Sequence, residues 1–219
     1  MPEAAGIYVF DAFGTLFDVH SAARTHAARI GEAWPRLSEV WRNKQLEYSW
    51  IYAGLGAHMR FEDATRDALQ YALAVCGLDP ALAAEILPSY RTLAAYEEVP
   101  QVLTALKAAG VRLAILSNGD PDVLSDLVEH AKLDGLFEAV ISVATAGTFK
   151  PNGRVYAQAC TAFDAEPSEI VFVSSNRWDI AGASAFGFTP VWVNRAGLPE
   201  EYHALPAQRT IRDLRGLAA

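Results

Sequence analysis

The stretch IYVFDAFGTLFD, residues 7–18, begins with four apolar residues and continues into an aspartate and a glycine. A short apolar run bounded by turn residues is typical of a strand covered on both faces, as in a parallel sheet. We therefore predict a first strand over Ile7–Asp11, followed by a tight turn at Gly14. Burying a carboxylate is costly unless its charge is paired or used, so Asp11 either caps this turn or takes part in chemistry.

Downstream of residue 98, four more apolar runs predict the remaining strands, at Arg112–Ser117, Ala139–Val143, Ile170–Ser174 and Val191–Asn194. Helical patterns occupy the intervals around these strands. We predict helices at Val99–Ala109, Val123–Lys132, Gly153–Phe163 and Ile180–Phe186. Alternating strands and helices predict an α/β fold with a doubly wound, Rossmann-like parallel sheet, in which ligands bind at the carboxyl ends of the strands.

The interval between the first and second strands breaks this alternation, because it contains helical stretches and no convincing strand. We predict its helices at Ala22–Ile30, Leu37–Ala53, Phe61–Cys76 and Ala81–Leu93. We interpret residues 18–97 as a helical cap domain inserted over the active edge of the sheet, and residues 1–17 and 98–219 as the α/β core domain. After the last strand, the pattern predicts only a short helix at Ile211–Leu217.

The composition argues against several classes of protein. Of 219 residues, 52% are hydrophobic and 20% are charged, which excludes a disordered chain. No apolar run approaches the ~20 residues that span a bilayer, and the N-terminal residues lack the basic charge of a signal peptide. The net charge is −8 and basic residues form no cluster, which disfavours nucleic-acid binding. With two widely spaced cysteines, we expect reduced thiols in a cytoplasmic protein.

Polar residues after the second and third strands are candidates for chemistry. Ser117 and Asn118 precede a predicted helix, whose free N–H groups favour an anion, although both residue types also favour ordinary turns. Lys150 precedes Pro151, which biases the lysine backbone away from helix, so its side chain can project from a loop. A lone lysine is more often a solvated surface charge.

Two further segments carry candidate residues. In FVSSNRWD, after the fourth strand, Ser174, Asn176 and Asp179 could surround the same edge as Asp11, or Asn176 and Asp179 could simply form a helix capping box. In the aromatic stretch WRNKQLEYSW, Arg42 could extend to water or bind an anion in the cleft. Each residue has an ordinary structural explanation, but their order at successive strand ends is hard to obtain by chance.

Six stretches together resemble the haloacid dehalogenase superfamily and, within it, the (S)-2-haloacid dehalogenases. They span residues 7 to about 195 and read FDAFGTLFDVHS, WRNKQLEYSW, LAILSNG, KPNGRVY, FVSSNRWD and FGF. The resemblance implies hydrolysis of short (S)-2-haloalkanoic acids to (R)-2-hydroxyalkanoic acids and halide, with inversion, through an aspartyl ester. It also implies that the partners are this substrate and a halide ion, that no cofactor or metal is needed, and that the protein forms a homodimer.

The resemblance implies catalytic roles as well. Asp11 is the expected nucleophile, Lys150 is expected to keep it charged and polarise the ester, and Asp179 is expected to activate water for ester hydrolysis. The resemblance assigns supporting roles to Thr15, Tyr156, Ser174 and Asn176.

For substrate binding, the resemblance implies three groups of contacts. Arg42 is expected to receive the halide, with Asn118 and Trp178 nearby. The carboxylate is expected to contact Ser117 and the backbone N–H groups of Ala12, Phe13 and Asn118. The apolar wall is expected to include Leu46 and Phe61.

Two alternatives stay open beside the dehalogenase. Phosphatases of the superfamily carry a second aspartate two positions after the nucleophile and acidic residues after the fourth strand that hold Mg²⁺. Here Phe13 takes the first position and Asp179 is the only carboxylate of FVSSNRWD, whereas Mg²⁺ usually takes one or two carboxylates plus substrate phosphate. A phosphatase is therefore disfavoured. A catalytically silent relative that binds small carboxylates is the other alternative.

Overall fold

The computed structural model describes residues 6–57 and 59–218, and its centre is a six-stranded parallel sheet in the order β3-β2-β1-β4-β5-β6. The strands are β1 Ile7–Phe10, β2 Arg112–Ser117, β3 Ala139–Ser142, β4 Ile170–Ser174, β5 Thr189–Val193 and β6 Arg209–Ile211. The predicted α/β fold with a doubly wound parallel sheet is confirmed. Because apolar side chains cover both faces of the central strands, these strands read as nearly continuous hydrophobic runs.

Four helices accompany the strands from residue 99 onward. They are α6 Val99–Ala108, α7 Pro121–His130, α8 Gly153–Phe163 and α9 Arg177–Phe186. Two begin earlier than predicted, at Pro121 instead of Val123 and at Arg177 instead of Ile180. Proline is tolerated in the first helical turn because its missing N–H has no partner there.

The described residues between β1 and α6 form helices and add no strand to the sheet. They contain α1 Ser21–Thr25, α2 Ala27–Ile30, α3 Trp34–Leu55, α4 Phe61–Val75 and α5 Leu82–Ile86, with short 3-10 segments at Gly31–Ala33 and Leu87–Arg91. The predicted helices Ala22–Ile30 and Ala81–Leu93 are each divided into two shorter pieces. The division into core and cap domains stays a prediction, and residues 1–5 and 219 of its core range lie outside the described residues.

The C-terminal segment differs from its prediction. Instead of one helix at Ile211–Leu217, strand β6 pairs with β5 and a 3-10 segment follows at Leu214–Ala218. In β6 only Ile211 is buried, so a three-residue strand left no alternating pattern to read. Among the described helices, none is both long enough and apolar enough to cross a membrane.

Strand register determines which side chains meet at the carboxyl edge of the sheet. Phe10 at the end of β1 pairs with Ile115 of β2 and with Val173 of β4. Asp11, which follows β1, and Ser174, the last residue of β4, therefore lie at the same level of the sheet, and the Asp11 N–H donates to the Val173 carbonyl at 2.9 Å. This edge carries the candidate site.

Candidate active site

Asp11 lies just after β1, is 4% exposed, and its carboxylate accepts four hydrogen bonds. Oδ2 accepts from Asn176 Nδ2 at 2.7 Å, Thr15 Oγ1 at 2.9 Å and Ser174 Oγ at 3.3 Å. Oδ1 accepts from Lys150 Nζ at 3.1 Å. Donors on both oxygens stabilise the charged form of a buried carboxylate. Oδ2 accepts three of the four hydrogen bonds and Oδ1 accepts only one.

Lys150 is fully buried, so the expectation that a lone lysine is solvated is wrong here. Its Nζ bridges Asp11 Oδ1 and Asp179 Oδ2, at 3.1 and 2.7 Å. Burial by itself lowers the pKa of a lysine, but the two carboxylates outweigh it and hold the pKa of Lys150 above its ordinary value. The backbone N–H of Lys150 donates to Asn118 Oδ1 at 3.0 Å, which anchors this segment to the end of β2.

Asp179 lies in the first turn of α9, fully buried. Its Oδ1 accepts a hydrogen bond from Tyr156 Oη at 2.7 Å, and its Oδ2 faces Lys150. Burial raises the pKa of Asp179 to about 6, against the opposing effect of Lys150. A carboxyl group with a pKa near 6 is ionised at neutral pH and still basic enough to accept a proton.

Asn176 occupies the N-cap position of α9, yet its side chain caps nothing. The capping-box interpretation of Asn176 and Asp179 is therefore wrong. Instead, Asn176 Nδ2 donates to Asp11 Oδ2 and to the Phe13 carbonyl, at 2.7 and 3.0 Å. The amide ties the start of α9 to the turn after β1.

Arg42, on α3, turns toward the sheet edge. Its Nη2 lies 3.3 Å from the Phe13 carbonyl and 3.4 Å from Asn176 Oδ1, while Nη1 donates to Gln45 Oε1 at 2.8 Å. In the described part of the chain, no ion pair joins Arg42 to a carboxylate. The interpretation of Arg42 as a residue that extends to water does not hold, because the guanidinium lies beside the amide that contacts Asp11.

Gln45 was not identified from the sequence. It is fully buried, donates from Nε2 to Thr65 Oγ1 at 2.6 Å, and accepts at Oε1 from both Arg42 and Tyr90 Oη. It lies within the predicted helix Leu37–Ala53, but its partners come from α4 and from the segment after α5. Gln45 therefore orients Arg42 through contacts that the local sequence does not reveal.

Aromatic rings form an apolar wall over the turn after β1. Phe13 packs against Phe61 and Tyr90, with ring centroids 5.4 Å apart in each pair, and Phe61 lies 6.0 Å from Phe149. Leu46 is buried one position after Gln45. The expected wall residues thus lie on α3, on α4 and in the turn after β1.

Three backbone N–H groups at the edge are available to a ligand. The N–H groups of Ala12, Phe13 and Asn118 have no hydrogen-bond acceptor within residues 6–57 and 59–218, although all three residues are buried. Ser117 is fully buried beside them, and its Oγ accepts from the Gly119 N–H at 3.1 Å. Free N–H groups favour a bound anion. The expected carboxylate contacts follow β1 or lie at the end of β2, two strands that are neighbours in the sheet.

The ring of Trp178 faces α3. Its ring packs edge-on against Trp50, with centroids 5.5 Å apart, and lines an apolar cavity of about 410 Å³ with Pro151. Its Nε1 is buried without a partner among the described residues. Asn118 reaches the site, but its carbonyl oxygen is occupied by the Lys150 N–H. Arg42 contacts Asn176 of the Asp11 group, and a contact of Trp178 with the halide stays a prediction.

Gly182 is a second residue that sequence reasoning missed. A Cβ at this position would overlap the Tyr156 hydroxyl and lie 2.7 Å from Pro151 Cβ. Glycine one turn after Asp179 therefore lets α9 approach closely enough for Tyr156 to reach the carboxylate. Groups of three or more metal-ligating His, Cys, Asp or Glu side chains do not occur in the described residues.

Comparisons with known proteins agree with this geometry. A family model described as a haloacid dehalogenase-like hydrolase matches residues 6–187. (S)-2-haloacid dehalogenase 1 of Pseudomonas sp. (strain CBS-3) is 43% identical over 94% of this chain and 92% of its own length. The chain belongs to this dehalogenase family. The resemblance seen in the six sequence stretches is thereby confirmed.

Two further relatives extend the family match to almost the whole chain. (S)-2-haloacid dehalogenase 4A of Burkholderia cepacia is 39% identical over 98% of this chain and 94% of its own length. The solved structure of the L-2-haloacid dehalogenase from Xanthobacter autotrophicus with chloropropionic acid covalently bound superposes with a TM-score of 0.88. It is 36% identical, and the match covers 97% of this chain and 96% of that one.

Proposed function

We propose that this chain hydrolyses short (S)-2-haloalkanoic acids to (R)-2-hydroxyalkanoic acids and halide, with inversion at C2 and through an ester of Asp11. The observation that supports this most strongly is a buried lysine between two buried carboxylates, Asp11 and Asp179, at the carboxyl edge of the sheet. Family membership supplies the substrate class, and the geometry suggests the roles of the residues.

In the first step, a lone pair of Asp11 Oδ1 attacks C2 and the carbon–halogen bond breaks, so that the halide leaves with the bonding electrons. No proton is needed, because a halide leaves as a stable anion. Oδ2 carries three donors and Oδ1 only the lysine, which favours Oδ1 as the attacking atom. Burial removes the water that otherwise weakens a carboxylate nucleophile.

In the second step, a water gives its proton to Asp179 and attacks the carboxyl carbon of the Asp11 ester. The bond between the ester carbonyl carbon and its alkoxy oxygen then breaks, and the alkoxy oxygen takes the proton from Asp179 to become the product hydroxyl. The regenerated Asp11 carboxyl group releases its remaining proton to solvent, and the new C2–O bond and its configuration are retained. The three donors to Oδ2 stabilise the negative charge that develops on the ester carbonyl oxygen. Lys150 stabilises the charge that develops on the departing alkoxy oxygen, the former Oδ1, and Tyr156 holds Asp179 in place. Splitting one displacement into two steps is the benefit of covalent catalysis.

Substrate binding in this proposal uses two separate anion-binding regions, one made of backbone N–H groups and one made of a guanidinium group. The free N–H groups of Ala12, Phe13 and Asn118, with Ser117, bind the substrate carboxylate, and Arg42 receives the departing halide. A planar guanidinium held by neutral acceptors keeps its full charge for that anion. The apolar wall holds the alkyl chain.

The proposal further includes a cytoplasmic homodimer that works without a metal or another cofactor. The family resemblance supports the homodimer, and the low cysteine content supports a reducing compartment. Among the described residues, the ammonium group of Lys150 contacts both Asp11 and Asp179, so a protein cation already occupies the position between these two carboxylates.

Halide release from (S)-2-chloropropionate, measured beside hydrolysis of p-nitrophenyl phosphate, tests the reaction class. We expect chloride release that persists in EDTA and no phosphatase activity. If EDTA abolished chloride release and Mg²⁺ restored it, the result would favour the phosphatase instead. Binding of 2-chloropropionate without any turnover would identify a catalytically silent relative.

Isotope labelling tests the covalent route. In a single turnover in ¹⁸O-water with enzyme in excess, the product hydroxyl should come from Asp11 and be unlabelled, while the label enters the Asp11 carboxylate. Direct attack by water on C2 would label the product hydroxyl at once. Both routes invert C2, so only the label separates them.

A further inference from the structure

A cavity of about 210 Å³ opens beside Arg42, between the turn after β1 and the loop after β5. Arg42 and Asn176 line it, and these two residues also reach the Asp11 group. Arg195 and Leu198 line it from the loop after β5. Since one water takes about 30 Å³ of liquid volume, the cavity has room for a small anion together with several waters.

The side chains that line this cavity favour an anion. Within the described ranges, Arg42 has no carboxylate partner and no Asp or Glu lines the cavity. Arg195 is positioned by Glu98, 2.5 Å from Nη1, and by the Thr15 carbonyl, 3.0 Å from Nη2, which leaves its Nε buried and without a partner in the residues that the structure describes. A buried donor without a partner calls for an explanation, and a passing anion or its water supplies one.

Asp11 itself is almost completely buried, so its substrate and the halide must cross the protein surface somewhere. The larger apolar cavity beside Trp178 is a poor route, because its lining of Trp50, Tyr202 and Leu205 offers no charge to replace the lost hydration of an anion. The cavity beside Arg42 offers two guanidinium groups instead.

We propose that this cavity is an anion passage, lined by Arg42, Asn176, Arg195 and Leu198, through which small monovalent anions exchange between Asp11 and solvent. The carboxylate substrate enters by it and the halide leaves by it, with the Arg195 Nε–H as an outer anion contact. This inference rests on the proposed dehalogenase function.

Leu198 allows a test that leaves the catalytic groups untouched. Its side chain is 60% exposed, and its backbone is held by two hydrogen bonds to the Asn194 side chain. Leu198→Glu and Leu198→Lys therefore change the charge at the passage without disturbing the core. We expect kcat/KM for (S)-2-chloropropionate to be about fourfold lower for Glu than for Lys at ~10 mM ionic strength, where the Debye length is ~30 Å.

At ~1 M salt the Debye length is ~3 Å and the difference should disappear. Inhibition by added bromide should follow the same order, with the Glu variant inhibited at about fourfold higher bromide concentration. The single-turnover rate of the chemical step should not change.

The matched control is Val140→Glu and Val140→Lys. Val140 is 44% exposed on β3, at the opposite edge of the sheet from the loop after β5, so this pair makes the same change in net charge far from the passage. Equal effects of the two pairs would overturn the passage, because the charge would then act through the whole protein. Absence of halide release from the unmodified protein would instead reject the proposed function.

Discussion

The site has a core side, formed by residues at the carboxyl edge of the sheet, and a cap side, formed by residues of α3, and these two sides hold their charges in opposite ways. On the core side, Lys150 is fully buried and pairs with two carboxylates, Asp11 and Asp179. On the cap side, Arg42 is half-buried and its partners are neutral, chiefly Gln45 and the Phe13 carbonyl. The core side thus holds each of its charges in a permanent ion pair, whereas the cap side keeps one positive charge free for an anion that is present only during turnover.

This difference separates two consequences of mutation. Removing one member of a buried ion pair leaves an uncompensated charge and typically costs ~3–5 kcal/mol of folding free energy. Shortening a guanidinium that binds a transient anion costs rate and little stability. Substitutions on the core side should therefore change both stability and rate, whereas those on the cap side should change rate alone.

Asp11→Asn should have the largest effect on activity. An amide lacks the negative charge and nucleophilicity of the carboxylate, so we expect at least a ~10⁴-fold loss of kcat for (S)-2-chloropropionate. Asp134→Asn, at an exposed position of the core, is the control and should retain full activity. More than a tenth of the original activity in a freshly prepared Asp11→Asn protein would contradict the role of Asp11.

Arg42→Lys should cost about 10- to 100-fold in kcat/KM, because lysine keeps the charge but not the planar fork that bonds Gln45 and faces Asn176. The free energy of unfolding in urea should change by less than ~1 kcal/mol, since no buried ion pair is broken. Arg36→Lys, exposed on the same helix, is the control. Turnover within twofold of the original would place halide binding elsewhere.

Tyr156→Phe should shift the pH profile of ester hydrolysis. The Tyr156 hydroxyl stabilises the charged form of Asp179, whose pKa is about 6, so losing it should raise that pKa further. The acid limb of the single-turnover hydrolysis rate should then move up by about half to one pH unit, the equivalent of one hydrogen bond of ~1 kcal/mol.

Activity should therefore fall most at acid pH and recover above pH ~8, where Asp179 is ionised in both proteins. Tyr52→Phe, on α3 and half-buried, is the matched control and should leave the profile unchanged. A uniform loss at every pH would mean that Tyr156 serves packing alone.

Arg91→Met should have the smallest effect. Arg91 follows α5 and pairs with Glu62 of α4 and with Asp122 and Asp126 of α7, at 2.6–2.7 Å, joining helices on the two sides of the cleft. About a third of its side chain is exposed, so we expect a loss of ~1 kcal/mol or less in urea unfolding, smaller still at 1 M salt. Arg112→Met removes an exposed ion pair to Glu138, and its loss of unfolding free energy is the reference for the contribution of one such pair. A loss above ~3 kcal/mol would show that the cap is held to the core mainly by charge.

Much of the core side is predictable from the sequence alone, because each candidate follows a recognisable apolar strand. Asp11, Ser117 and Ser174 lie where β1, β2 and β4 end, and parallel strands bring such ends to one edge. The family motifs added Lys150 and Asp179. The strand β6 was missed because pairing with β5, not its own pattern, makes it a strand.

The contacts on the cap side were less predictable from the sequence. The sequence predicted the helix that carries Gln45, but not that Gln45 bonds Arg42, Thr65 and Tyr90. Trp178 is a further case, since the sequence did not indicate that its ring packs on Trp50 of α3. Such contacts join segments far apart in the chain, and no local periodicity encodes them.

The α/β class, the order of the elements and the residue types at the strand ends follow from the sequence, because short-range hydrophobic periodicity and turn chemistry set them. The protonation and orientation of those residues depend on the tertiary structure. Whether Lys150 is solvated or buried between two carboxylates, and whether Asn176 caps a helix or bonds Asp11, depends on which groups meet and how much water is left between them. Electrostatic interactions act through space, so their outcome depends on the folded geometry.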